Sequence, residues 1–257
     1  MKILKSVLLP DIHFPYHDKK TWNAVIKFIK WFKPDQVVLM GDALEMSAIN
    51  HWKREKGNLR FFEGKRLIKE YKKFIREILV PIEKLCPKAK KVYLGGNHEE
   101  WANRLIDEQP NLAELIEPEV VMNLATRGWK WIPYVGVDKN DNVVRGSYTI
   151  GKLTLVHGEY TNKYHAGKTS DVFSKSVAYG HTHDIQLYTK VHVEDPSDYH
   201  TAQSIGCLCN RSPEFGKGRA NRWVHSFGVL YTRPNGHYNL YVPIIIGGRF
   251  TFAGKNF

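Results

Sequence analysis

An α/β fold is the class this sequence predicts, and three observations predict it. Short apolar runs alternate with longer amphipathic segments over roughly the first hundred residues, in the order strand, helix, strand, helix, strand. Beyond about residue 128 the pattern turns β-rich, with turn-forming clusters between the runs. At 257 residues and 42% hydrophobic content, the chain is long and apolar enough to bury one full core.

Residues 3–9 read as the first strand. Residues 19–32 follow as a helix, with Trp22, Val25, Ile26, Ile29 and Phe32 at helical spacing and Lys33-Pro34 closing it. Residues 36–40 are the second strand. Residues 59–85 read as one long basic amphipathic helix, kinked or broken before Pro81. Residues 92–94 form a third short strand, and residues 99–107 start another helix. This order predicts a parallel βαβαβ core. In the second half, strands are expected at 129–134, 147–150, 153–157, 177–179, 185–193, 225–232 and 237–246. The clusters at 138–142, 150–152 and 233–236 supply the turns between them. With no internal repeat, low-complexity tract or linker, residues 1–257 are expected to form a single domain with two sheets.

Lys and Arg number 38 against 26 Asp and Glu, a formal charge of +12. Such a surface favours polyanions, nucleic acid among them, or small phosphorylated substrates. Three cysteines, Cys86, Cys207 and Cys209, exclude a disulfide framework and suit a reducing compartment. No signal segment opens the chain, and no apolar stretch approaches the roughly 18 residues of a membrane span. A cytoplasmic protein that does not enter the membrane is the expectation.

Five apolar runs each end in residues of metal-ligand type. Val7-Leu8-Leu9-Pro10 leads into Asp11-Ile12-His13, and Val37-Val38-Leu39-Met40 into Gly41-Asp42. Val92-Tyr93-Leu94-Gly95-Gly96 leads into Asn97-His98-Glu99. Leu153-Thr154-Leu155-Val156 leads into His157-Gly158, and Val177-Ala178-Tyr179 into Gly180-His181-Thr182-His183. Any one of these is most simply a cap or a turn. Five in succession, each at a strand end beside a glycine or a small loop, mark the place where open α/β sheets put their sites. Asp, Asn and His offer oxygen and imidazole nitrogen without thiolate, a set suited to Mn, Fe, Zn, Ni or Mg.

In this order the five motifs resemble those of the calcineurin-like metallophosphoesterase superfamily. The likeness runs from residue 11 to residue 183. Residues 206–228, with Gly206-Cys207, Arg222-Trp223 and Phe227-Gly228, further resemble bacteriophage and prophage members. The resemblance implies a four-layer α/β/β/α sandwich of two mixed sheets flanked by helices. It implies two divalent metal ions, Mn²⁺ foremost, with Fe, Zn, Ni or Mg as alternatives. One ion would take Asp11, His13, Asp42 and His183; the second would share Asp42 and take Asn97, His157 and His181. A shared carboxylate holds two such ions roughly 3.5–4 Å apart, the spacing used for in-line displacement at phosphorus. A hydroxide between the ions would attack, and His98 would be no ligand but the catalytic general acid.

Two departures stand out. Many members continue Gly-Asp-x-x-Asp, whereas this chain has Gly41-Asp42-Ala43-Leu44-Glu45, so either Glu45 or Glu99 would orient His98. The Asp-Arg-Gly of the protein phosphatase branch is replaced by Glu45-Met46-Ser47, and the Gly-His-x-His ending looks more like the phosphodiesterase and nuclease branches. A phosphodiester substrate is therefore expected, with nucleic acid as a candidate. A phosphomonoesterase of broad specificity and a non-catalytic metal-binding scaffold are the rivals.

Other features read more plainly. Between Lys53 and Arg76 stand ten basic residues against three Glu, interleaved with Trp52, Phe61, Phe62, Tyr71 and Phe74. That pattern suits a nucleic-acid surface, but it suits an ordinary solvated helix with a buried aromatic face better. Arg211, Lys217, Arg219 and Arg222 lie in a loop-like stretch that either borders the pocket or is simply solvated. Cys207-Leu208-Cys209 lacks the second pair of a zinc site and reads as buried small residues. Gly167-Lys168-Thr169 lacks the earlier glycine of a phosphate loop.

Overall fold

A computed structural model describes residues 2–55, 62–195, 199–212 and 220–257. In chain order the elements are β1 (Leu4–Leu9), α1 (Lys19–Phe32), β2 (Gln36–Met40), α2 (His51–Glu55), α3 (Leu67–Phe74), α4 (Val80–Leu85), β3 (Lys90–Leu94), α5 (Glu100–Glu108) and α6 (Pro118–Val121). They continue with β4 (Trp129–Ile132), β5 (Val135–Val137), β6 (Val143–Arg145), β7 (Ser147–Ile150), β8 (Leu153–Val156), α7 (His165–Phe173), β9 (Val177–Tyr179), β10 (Leu187–Val191) and β11 (Tyr199–Ser204). The last are β12 (Gly228–Thr232), β13 (Tyr238–Tyr241), β14 (Thr251–Phe252) and β15 (Lys255–Asn256).

Period-two alternation along the central strands sorts apolar side chains between two cores. Val7 and Leu9, Val37 and Leu39, and Tyr93 face helices α1, α3, α4 and α5. Leu8, Val38, Met40, Val92 and Leu94 face the other way and meet Ile150, Leu153, Leu155 and Ala178 of a second sheet. Beyond that sheet, Val156, Val177, Tyr179 and Ala202 pack under Phe173 of α7. The layers are thus helices, sheet, sheet and helix, the α/β/β/α arrangement of two mixed sheets that the resemblance implied.

The first sheet runs β13-β12-β1-β2-β3-β4, with β1 to β4 mutually parallel and β12 and β13 antiparallel. The second runs β10-β11-β9-β8-β7, parallel through β8, β9 and β11. The expected βαβαβ core is present. Residues 129–132 extend it as a fourth parallel strand instead of opening the second sheet. No helix among the described residues is long and apolar enough to cross a membrane.

The long helix expected over 59–85 is shorter and divided. Gly64 adopts a left-handed φ of +71°, which no α-helix accommodates, and α3 begins only at Leu67. Before Pro81 the helix widens into a π turn, Ile75–Leu79, which absorbs the ring's missing N–H, and α4 resumes at Val80. Tyr71 and Phe74 are buried while Lys69, Lys72 and Lys73 face solvent, so this stretch is an ordinary amphipathic helix. Lys56, Arg60 and Phe61 lie outside the described residues.

Glu70 is the exception on that helix. It is buried and accepts the Met46 N–H at 2.7 Å, fixing the left-handed corner (φ 53°) just after Glu45. Burial, with the Glu45 charge nearby, pushes its carboxyl up from 4.5 to about 8. The folded state therefore binds a proton that the unfolded chain has released, so stability falls as pH rises from 4.5 toward 8. Glu70→Gln keeps the acceptor without the charge. It is expected to match the wild type near pH 5 and to be about 3 kcal/mol more stable near pH 8. Urea unfolding at both values checks this, and an equal difference at the two would contradict it.

Candidate metal centre

All five motif loops leave the carboxyl ends of parallel strands, three from the first sheet and two from the second. Packing the sheets face to face brings these ends together. His13 N–H bonds the Asp42 carbonyl at 2.9 Å, Gly180 N–H bonds the His157 carbonyl at 2.8 Å, and His181 N–H reaches the Asp11 carboxylate at 3.0 Å. Asp11, His13, Asp42, Asn97, His98, His157, His181 and His183 converge here.

Four overlapping donor groups result among the described residues, one joining His98 to His13 and Asp42 and one joining Cys207 and Cys209 to His183. In the other two, Asp11, His13 and His183 offer atoms within 4.8 Å of one another, as do Asp42, His157 and His181. Between them stands one oxygen: Asp42 Oδ2 lies 3.7 Å from His13 Nε2 and 3.3 Å from His157 Nε2. Asn97 Oδ1 is 3.0 Å from His157 Nε2, and His181 Nδ1 is 3.2 Å from the same atom. His183 Nε2 faces Asp11 Oδ1 at 3.2 Å and His13 Nε2 at 3.1 Å.

The rings are held from behind, which fixes the nitrogen each presents. His13 Nδ1 donates to Glu45 Oε2 at 2.9 Å, and His157 Nδ1 donates to the Met40 carbonyl at 3.0 Å. Both keep Nε2 for the cluster. Cys209 Sγ is 3.8 Å from His183 Nδ1, and Cys207 joins them, so the two buried thiols read from sequence as small packing residues also form a donor group with that ring.

This donor set fits divalent cations. Asp11, Asp42 and His157 are buried, and each carboxylate accepts one backbone N–H, Asp11 from His181 and Asp42 from His98. Each still turns an oxygen toward a ring nitrogen, Asp11 Oδ1 toward His183 and Asp42 Oδ2 toward His157. Burial pulls the His157 imidazolium down, but the Asp42 carboxylate more than offsets this and holds it up to about 9. His181 is pushed down to about 4 by burial and by the His157 charge. Burial opposes ionisation of Asp42, yet the charges of His157 and His98 keep its carboxyl well below the usual range. A cation in such a cluster replaces the proton and relieves the crowding of imidazoles.

Backbone strain marks the same residues. Asp11, His13, Asp42, His181 and His183, five of the seven residues named as ligands, have φ between 44° and 67°. Left-handed conformations at non-glycine residues cost of order 1–3 kcal/mol each and gather where geometry is over-determined for function. Gly96 and Gly180 permit close approach, since a Cβ would overlap the Asp42 carboxylate and backbone at the first and the Asp11 carboxylate at the second.

His98 stands beside the clusters. Its Nδ1 donates to the Glu45 carbonyl at 2.9 Å, its ring stacks on Trp101 with centroids 4.1 Å apart, and Nε2 is 3.9 Å from Asp42 Oδ2. Neither carboxylate expected to orient it bonds it. The Glu45 side chain, 3.7 Å from His98 Nδ1, turns to His13 instead. Glu99 accepts from the N–H groups of Asp42, Leu44 and Gly96 and from Tyr93 Oη, so it fastens two motif loops together. Burial and the Asp42 charge raise the Glu99 carboxyl.

Sequence reading missed a second hub. Asp184 accepts from Thr182 Oγ1 and Ser204 Oγ and pairs with the buried His165 of α7. It thereby clasps the loop carrying His181 and His183. The signal was the Asp that follows Gly-His-x-His; its partners come from α7 and β11, which no motif announces. His225, outside the motif set, bridges Thr21 and the Cys209 carbonyl, a structural role.

The family model described as calcineurin-like phosphoesterase matches residues 4–231. The Gene 54 protein of Mycobacterium phage L5 is 25% identical over 262 residues, covering 98% of this chain and 97% of that protein. Its counterpart in Mycobacterium phage D29 is 24% identical, covering 97% of each. Among solved structures, wild-type Vps29 complexed with Zn²⁺ from Entamoeba histolytica aligns with a TM-score of 0.46 and 12% identity over 96% of each chain. Vps29 from Cryptosporidium parvum aligns with a TM-score of 0.45 and 13% identity over 99% of this chain and 98% of that one.

Proposed function

The chain belongs to the calcineurin-like phosphoesterase family, and we propose on that premise that it is a metal-dependent hydrolase of phosphodiesters. The observation that carries the reading is Asp42 Oδ2, set between two buried donor clusters with His98 alongside. Asp11, His13, Asp42 and His183 would hold one divalent ion, and Asp42, Asn97, His157 and His181 a second. Mn²⁺ is the first candidate, and Fe, Zn, Ni or Mg suit the same donors. Bound there, such ions supply Lewis acidity toward phosphoryl oxygens and make water acidic enough to be deprotonated near neutral pH.

The chain's own groups do the rest. Asp42 orients both clusters through one oxygen, while its other oxygen accepts the His98 N–H at 2.9 Å. Because the Glu45 carbonyl can only accept, His98 Nδ1 keeps its proton and Nε2 is the atom left facing the site. A proton on Nε2 is then poised for the leaving oxygen, with Trp101 stacked behind the imidazolium. Diester preference is supported by cavities on two sides of the donors. One, of about 290 Å³, is lined by His13, Asp42, Asn97 and His98; a second, of about 240 Å³, meets it at His181 and Trp223. A phosphodiester carries a substituent for each.

The test is hydrolysis of matched p-nitrophenyl phosphate mono- and diesters by metal-stripped protein titrated with Mn²⁺. Metal-dependent turnover that favours the diester is expected. A monoester preference would replace this reading with a phosphatase. No turnover of either, with metal bound, would point to a binding scaffold.

A further inference from the structure

Three tryptophans belong to none of the hydrophobic clusters: Trp31, which meets the rings of Phe28, Phe32 and Phe257, and Trp52 and Trp223. Trp22, Trp101 and Trp129 are buried in the helix-facing core and Trp131 packs against it. Trp52 and Trp223 both line the cavity that holds His98. Trp52, on α2, is 57% exposed and meets the His51 ring edge-on, with centroids 5.3 Å apart. Trp223 stands edge-on to His183, with ring centroids 4.3 Å apart. Its backbone is pinned, since its N–H bonds Asn221 Oδ1 at 3.1 Å and the next N–H bonds the His183 carbonyl at 2.8 Å. An indole whose backbone is tied in this way to the loop that carries His183 is a preformed stacking surface.

The second cavity begins on the far side of Trp223. Thr161, Asn162, Lys163 and Arg222 line it, a polar and cationic wall. Arg222 is exposed and makes no ion pair among the described residues. The carboxylate on that wall, Asp184, is already engaged by Thr182, Ser204 and His165. Indoles at the donor clusters followed by cations beyond them match the repeat of a nucleotide chain, in which each base is followed by a phosphate.

We propose that the substrate is single-stranded nucleic acid, with bases stacked on Trp52 and Trp223 and the next phosphate held by Lys163 and Arg222. The inference rests on the phosphodiesterase reading and names its substrate class. A duplex would hide its base faces from both indoles, and a mononucleotide would leave the cationic cavity unused. Stacking on an aromatic ring accepts every base, so recognition depends on the presence of bases and not on their order.

The test is equilibrium binding of a fluorescent single strand of about 12 nucleotides, followed by anisotropy. The full chain is kept metal-free with chelator so that the strand stays intact. A strand of equal length and charge whose sugars lack bases, and a blunt duplex, are the comparisons. The base-bearing strand is expected to bind at least about tenfold tighter than the abasic one. Trp52→Ala and Trp223→Ala are each expected to lose roughly 5- to 100-fold and most of that preference. Trp52→Phe is expected to keep most of it, which separates stacking from a folding defect. Arg222→Ala is expected to lower the slope of log affinity against log salt by about 0.7, one phosphate contact on a single strand. Equal binding of abasic and base-bearing strands, tighter binding of the duplex, or tryptophan variants that bind like the wild type would each overturn the proposal. Hydrolysis of the p-nitrophenyl diester, which has no nucleobase, is read separately and bears on the phosphodiesterase reading alone.

Discussion

Asp42→Ala is expected to lose metal and activity together. One oxygen of this carboxylate faces both donor clusters, and the other holds the His98 backbone. Removing it takes from His157 its nearest carboxylate and leaves His13 with Glu45 and Asp11, and each cluster loses its shared donor. Losing an outer partner of a metal ligand typically costs about 10- to 100-fold in affinity, and losing a shared ligand should exceed that. Asp42→Asn keeps the volume and one acceptor, so it separates loss of charge from loss of packing. Metal content after dialysis, read beside turnover of the diester, checks both. Normal activity with two ions retained would rule out Asp42 as the shared ligand.

His98→Ala is expected to do the opposite, keeping its metal while turnover falls. Its ring is held by the Glu45 carbonyl and by Trp101, and neither contact is needed by the donor clusters. A positioned general acid contributes about 10²- to 10⁴-fold, and the contribution grows as the leaving group becomes more basic. The loss should therefore be small for p-nitrophenolate and large for an alkyl alcohol. If the variant hydrolysed an alkyl diester as fast as the wild type, proton donation by His98 would be wrong.

Much of the fold was legible because buried parallel strands must be apolar and brief. The parallel strands at 36–40 and 177–179 are read with the bounds the structure gives them. So, through their own periodicities, are helix 19–32 and the antiparallel edge strand 147–150. The elements that escaped carry weak patterns for physical reasons. Helix α7, with the sequence HAGKTSDVF, buries His165, Ala166, Thr169 and Ser170 and only partly covers Phe173, so it has no apolar stripe to detect. Strand β11 mixes half-exposed polar residues with buried Ala202 and Ser204, and the β5–β6 hairpin is largely exposed. Such segments are ordered by their neighbours more than by their own periodicity.

The metal-type residues were legible for a different reason. Asp11, His13, Asp42, Asn97, His157, His181 and His183 announce themselves because strands end abruptly in polar groups where a core would otherwise continue. The partners that hold them do not. Glu45 and Glu99 were equal candidates to orient His98, and packing assigned both elsewhere: Glu45 to His13 through its side chain, Glu99 to three backbone N–H groups. His98 is held by a carbonyl, a group every residue possesses and no sequence can single out.

By itself, then, the sequence determined which strands are buried, where each ends, and that oxygen and nitrogen donors follow them. Those properties are local, set by side-chain polarity and period. Only the tertiary structure decided that Asp42 stands between the clusters, that Asp184 clasps the last loop, and that Trp52 and Trp223 share one cavity. These depend on contacts across separations as large as the 171 positions from Trp52 to Trp223, where the angle and spacing of two packed sheets, and not any local preference, fix which side chains meet.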